Sequence, residues 1–160
     1  MDPSMILPAY DTYINADEYF QNRLHTLAWD EAASTEKTTA LIEATQRIDR
    51  LRFTGVMVED DQEMEFPRYY GDEPEGDEEI PGDIEIACYE LAFALLDGVD
   101  PDLEAENLAV ISQGYSSVRI AKSSMTPQDH IAAGIPNLTA WRHLVAYLAP
   151  DREIKIHRVS

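Results

Sequence analysis

The segment IPGDIEIACYELAFALLDG, Ile80 to Gly98, constrains the fold more than any other part of this chain. Pro81 and Asp83 mark a helix start, and Gly98 stands where a left-handed cap closes one. Between them Ile84, Ala87, Cys88, Leu91, Ala92, Leu95 and Leu96 make an apolar face wide enough to need cover on several sides. The spacing predicts a central helix over 84–97. The run is short for a membrane span and contains Glu90, so it reads as a core helix.

The remaining chain has to supply the cover. A first helix is predicted over 16–33, with Asn15 and Glu18 in capping-box spacing and Phe20, Leu24, Leu27 and Ala28 on one face. Ser34 or Thr35 caps a second, with Glu36 in its first turn and a stripe of Leu41, Ala44, Ile48 and Leu51. Its opposite face carries Glu43, Arg47 and Arg50. A last helix, NLTAWRHLVAYLA, takes Asn137 as its N-cap and stops at Pro150. LAVIS (Leu108 to Ser112) and SVRIA (Ser117 to Ala121) read as a short hairpin, and KSSMTPQDH as a loop. The terminal DREIKIHRVS alternates Ile154 and Ile156 with Lys155 and reads as a lone extended strand. The expected fold is mainly α: a small bundle of about four helices with a short β-hairpin and an extended C-terminal arm. It divides into a domain over 1–150, with an acidic loop at 56–82, and the arm at 151–160.

Charge limits what such a domain can bind. The net charge is −19 and the pI about 4.3. Eleven acidic residues against Arg68 alone fall between Glu59 and Glu79. This stretch is too charged and too broken by Gly and Pro for helix or strand, and a solvated loop is its plainest reading. A surface of this sign opposes both phosphate neutralisation on nucleic acid and adsorption to anionic membranes. The single cysteine, Cys88, excludes an intramolecular disulfide and favours a reducing compartment. MDPSMILPAYD has neither the basic start nor the long apolar run of a signal peptide.

No catalytic constellation can be assembled, so neither an enzyme nor a cofactor is expected. His25, His130, His143 and His157 are scattered without metal spacing, and the acidic stretch fails the calcium-loop pattern. Cys88 lies on an apolar helix face and reads as an inert buried thiol. Trp29 and Trp141 read as core or interface aromatics, because stacking platforms normally come with a positive groove. Arg68, alone among acids, could anchor the acidic loop by pairing with a carboxylate, with Phe66 and Pro67 as its apolar peg.

The order of these features resembles two groups of proteins. Tyr13-x-x-Ala16-x-x-Tyr19-Phe20, Trp29, ALIEATQRIDRLRFTG (Ala40 to Gly55), FPR (Phe66 to Arg68) and IPGDIEIACYELAFALL (Ile80 to Leu96) carry the resemblance, with a Leu-rich end before Pro150. It spans about residues 10–150. One group is the head–tail connector (adaptor or neck) proteins of tailed bacteriophages. The other is the related phage proteins labelled DnaT-like single-stranded DNA-binding proteins. The acidic run between FPR and IP is longer and more charged than the resemblance leads one to expect.

The connector resemblance implies a structural virion protein made in the host bacterial cytoplasm. It would sit at the neck as a homo-oligomeric ring, typically of twelve copies, between the portal and the tail or a second neck protein. DNA would only pass through its channel, which negative side chains keep from sticking, and no membrane is involved. Arg152, Ile154, Lys155, Ile156 and Arg158 would form the portal-docking arm. Arg47, Arg50 and Arg52 would make subunit contacts, and Phe66 and Arg68 would anchor the loop. The alternatives are a DnaT-like single-stranded DNA-binding replication protein and an acidic DNA-mimic inhibitor.

Overall fold

The computed structural model describes residues 7–76, 78–114 and 129–150, with 108–114 and 129 described for their backbone. The expected class is borne out: the protein is mainly helical with one two-stranded antiparallel hairpin. The elements run α1 (Tyr13–Phe20), α2 (Leu27–Glu31), α3 (Ser34–Ile48), β1 (Val56–Met57), β2 (Arg68–Tyr69), α4 (Gly82–Leu96), α5 (Pro101–Gly114), α6 (Asp129–Ala132) and α7 (Leu138–Leu144). A 3-10 turn, Val145–Tyr147, ends the series.

Helix α4 is the centre, as its apolar breadth requires. Ile84, Ala87, Cys88, Leu91 and Ala92 are fully buried, α3 and α7 pack along it, and α2 covers a further side. From α3 come Leu41, Ala44 and Ile48, and from α7 Ala140 and Leu144. Among the described residues Trp29 and Phe66 are the bulkiest fully buried side chains. Removing a side chain of this size from water is worth about 1.5–3 kcal/mol, so these contacts fix which helix faces meet. Gly98 closes α4 at φ +88°, a left-handed cap that leaves its neighbours unstrained.

Several local expectations are corrected. The first predicted helix is two: α1 starts at Thr12, whose hydroxyl accepts from the Asn15 N–H, and not at Asn15. The chain then breaks before α2, with His25 in the left-handed region at φ +62°. The break lets Arg23 turn back toward α4 while Trp29 still enters the core. Leu24 and Leu27, expected on the buried face, are exposed in consequence. At α3 the cap position is Ala33, and the Glu36 carboxylate accepts from its N–H at 2.8 Å, one half of a capping box.

The hairpin is also elsewhere. Leu108–Ser112 lies inside α5, whose start is set by Pro101 and by Asp100, which accepts from the N–H groups of Asp102 and Leu103 (3.0 and 3.2 Å). A four-residue apolar run such as LAVI has no period of its own, and the strong helix start upstream decides its conformation. The predicted partner at 117–121 and the loop at 122–130, apart from its last two residues in α6, lie outside the described residues. The observed hairpin pairs Val56 with Tyr69 and Met57 with Arg68, inside the stretch expected to be all loop. Gln62 stitches its connection, donating to the carbonyls of Met64 and Pro67 at 2.7 and 3.1 Å.

Candidate nucleic-acid interface

Seven of the twelve basic residues lie among those described, and most are already committed. Lys37 pairs with Asp17 at 2.7 Å, beneath which Trp29 donates its indole N–H to the same carboxylate at 2.8 Å. Arg23 pairs with Glu90 at 2.7 Å, Arg68 with Glu65 at 2.7 Å, and Arg47 with Glu43 and Asp102 at 3.2 and 3.3 Å. Arg50, Arg52 and Arg142 are exposed and enter no ion pair among the described residues.

Two of those three stand just beyond the C-terminal end of α3, where the helix dipole favours positive charge. Arg47 and Arg50 line a cleft of about 190 Å³ with Asp102, Ala105 and the Ala132–Gly134 turn. The guanidinium of Arg47, and then the charge of Arg50, hold the exposed Asp102 carboxyl below its usual range. The expected subunit-contact residues Arg47, Arg50 and Arg52 thus form a basic end to α3.

Phe66 and Arg68 sit on the chain that follows. Phe66 is fully buried among the rings of Tyr10, Phe53 and Tyr147, at centroid distances of 6.1, 4.8 and 5.9 Å. Arg68 donates to the carbonyls of Thr54 and Gly55, both at 2.8 Å, and to the Glu65 carboxylate. Together they bind the start of the acidic segment to the segment leaving α3. The arm residues Arg152, Ile154, Lys155, Ile156 and Arg158 lie outside the described residues.

The network at Glu90 has no counterpart in the sequence reading. Its carboxylate is fully buried and accepts from the Tyr19 hydroxyl at 2.8 Å and from Arg23 at 2.7 and 3.1 Å. Asn137 donates to the Glu90 carbonyl at 2.9 Å while its own side-chain oxygen caps α7. Burial, and then the bond to Glu90, push the Tyr19 hydroxyl up to about 12. Two further tyrosine–carboxylate pairs, Tyr10–Asp49 and Tyr89–Asp11, tie the N-terminal segment to α3 and α4. A Glu in an apolar stripe was the visible signal; its partner Arg23 was assigned to an unbroken helix and so went unseen.

Among the described residues the histidines and the cysteine form no reactive set, and His157 lies outside them. His130 is buried against the Ile135 carbonyl at 2.7 Å, His143 meets Asp83 at 2.8 Å, and His25 is exposed. Cys88 is buried against Thr45, and its burial pushes the thiol up to about 12. Among the described residues no group of three or more His, Cys, Asp or Glu could hold a metal, and no helix is long and apolar enough to cross a membrane.

Among the described residues, what this geometry defines is an acidic helical domain in which Arg50 and Arg52 stand unpaired beyond the end of α3, with no cluster shaped for bond chemistry. The family follows from the sequence: residues 5–147 match the family described as "Putative DnaT-like ssDNA binding protein", and the chain belongs to it. Neither a curated protein nor a solved structure matches the chain. The match corrects the connector resemblance, since the family is described by single-stranded DNA and not by a portal or tail. The motifs that carried that resemblance are core features of this fold, Phe20, Trp29, Phe66 and the α4 stripe among them, and core residues report packing before partners. The arm that was to dock on a portal falls beyond the matched residues.

Proposed function

We propose that this protein binds single-stranded DNA without catalysis, as a DnaT-like protein. The family match over residues 5–147 carries this reading. The exposed cations Arg50, Arg52 and Arg142 supply its electrostatic component. They are few, and the net charge of −19 acts against them at long range. Affinity is therefore modest, and it depends on contacts to bases as well as to phosphates.

A strand that touched all three arginines would release about two counterions' worth of salt dependence, a log–log slope near −2. Duplex DNA of the same length presents twice the phosphate charge and hides its bases, so the acidic surface discriminates against it. Titration of a labelled oligothymidylate and of a matched duplex at low salt tests this, read by fluorescence anisotropy. Tighter binding of the single strand is expected. Equal binding of both forms, or none of either, contradicts the proposal.

A further inference from the structure

Exposed Tyr70 and half-buried Tyr147 come near each other where α3's exit, the hairpin and the last turn converge. Phe53 bridges to Leu148 in antiparallel fashion, and Ala149 donates to the Arg52 carbonyl at 2.9 Å. Alternation along this extended stretch turns Phe53 into the core and Arg52 outward. Thr54 donates to the Tyr147 carbonyl from both its N–H (2.9 Å) and its hydroxyl (3.2 Å). The next residue, Gly55, packs against the ring of Tyr70. An atom added at Gly55 as a Cβ would stand 2.8 Å from the Tyr70 ring and 2.6 Å from the Tyr69 carbonyl, and Gly55 itself has φ +76°. Only glycine lets the ring rest this close to the backbone, and Tyr70 as a residue is still 57% exposed.

We propose that Tyr70 and Tyr147 are a stacking platform for the bases of a single strand, with Arg52 placed to take a backbone phosphate. The inference rests on the single-strand reading above and assigns it a site. Both rings are placed before any ligand arrives: Tyr70 packs on Gly55, and Tyr147 has its backbone held by the Thr54 bonds and its ring by an edge contact with Phe66 at 5.9 Å and the hydroxyl bond to Asp83. The segment between them is fixed by Arg68 through the carbonyls of Thr54 and Gly55. A rigid aromatic surface loses little freedom on binding, and every base offers a π-face, so recognition is tolerant of sequence.

Two of the nearby carboxylates are occupied, while Asp72 and Glu73, which follow Tyr70 in the chain, are exposed, enter no ion pair among the described residues and oppose a phosphate. Glu65 is held by Arg68, and Asp83 by His143 and the Tyr147 hydroxyl. Glu78, whose charge is felt at Tyr70, is in no ion pair among the described residues and opposes a phosphate there.

Anisotropy titration with a labelled oligothymidylate of about twenty nucleotides tests the platform. Tyr70→Ala is expected to weaken binding about tenfold and Tyr70→Phe, which keeps the ring, by less than about twofold. Arg52→Ala should reduce the salt slope by about 0.7, and Glu78→Gln should strengthen binding. An abasic strand of equal length needs no variant: it should bind about tenfold more weakly. If the natural protein binds but the abasic strand does as well, or Tyr70→Ala and Arg52→Ala match the natural protein, the platform is overturned and single-strand binding stands. If the natural protein binds no single strand, both readings fall together.

Discussion

At the scale of single residues, Glu90 shows how a charge can be kept in the core. Its two oxygens are shared between Tyr19 and Arg23, and among the described residues no buried side-chain polar atom lacks a partner. Removing Arg23 strands a buried carboxylate, which costs about 3 kcal/mol given that Arg23 is itself partly in water. Chemical denaturation of Arg23→Ala should show that loss, and the double variant with Glu90→Gln should recover part of it. A loss below about 0.5 kcal/mol would place the pair among surface ion pairs. The same burial raises the proton affinity of Tyr10, Tyr19, Tyr89 and Cys88. For Tyr19, the folded protein keeps its proton up to about 12, while the unfolded chain releases it near 10.0. Stability from this group is thus fully present below pH 10.0 and lost as pH rises toward 12. Thermal melts should fall steeply over that window, and Tyr19→Phe should flatten the fall. A melting temperature unchanged from pH 9 to 12 would contradict the assignment. None of these partnerships was legible in the sequence, because each joins residues distant in the chain.

At the scale of elements, patterns with strong start and stop signals were legible and short apolar runs were not. Helix α4 was visible from its breadth and from Pro81 and Gly98; α3 from its stripe, and α7 from Asn137. The first helix was misread because Phe20, Leu24, Leu27 and Ala28 keep helical spacing across a turn at His25 that only the fold reveals. LAVIS was misread as a strand because its own composition suits either state. The hairpin was hidden inside the acidic stretch. Its strands are two residues each, held by Arg68 and Phe66 more than by any β-pattern. Asn137→Ala removes both the α7 cap and the bond to the Glu90 carbonyl, and should cost about 1–2 kcal/mol in denaturation experiments. Asn137→Asp keeps the capping oxygen and loses only the donor, so it should fall between the two.

At the scale of the whole molecule, the question is how a chain of net charge −19 serves a family described by DNA binding. The charge was fully legible in the sequence, and it argued against nucleic acid. What it did not reveal is the sorting of charge by the fold, which commits Arg23, Lys37, Arg47 and Arg68 to ion pairs and leaves Arg50 and Arg52 exposed beyond the end of α3, in no ion pair among the described residues. The tyrosines escaped notice for a related reason. Attention to aromatics settled on Trp29 and Trp141, whereas the exposed ring, Tyr70, sits in the stretch dismissed as a solvated loop. The most direct measurement is the association constant of the purified protein for a labelled single strand over a range of salt concentrations. Binding that is measurable at low salt and declines with a log–log slope of about −2 is the expected result. No binding at the lowest salt, or binding that salt does not change, would contradict a single-stranded DNA role.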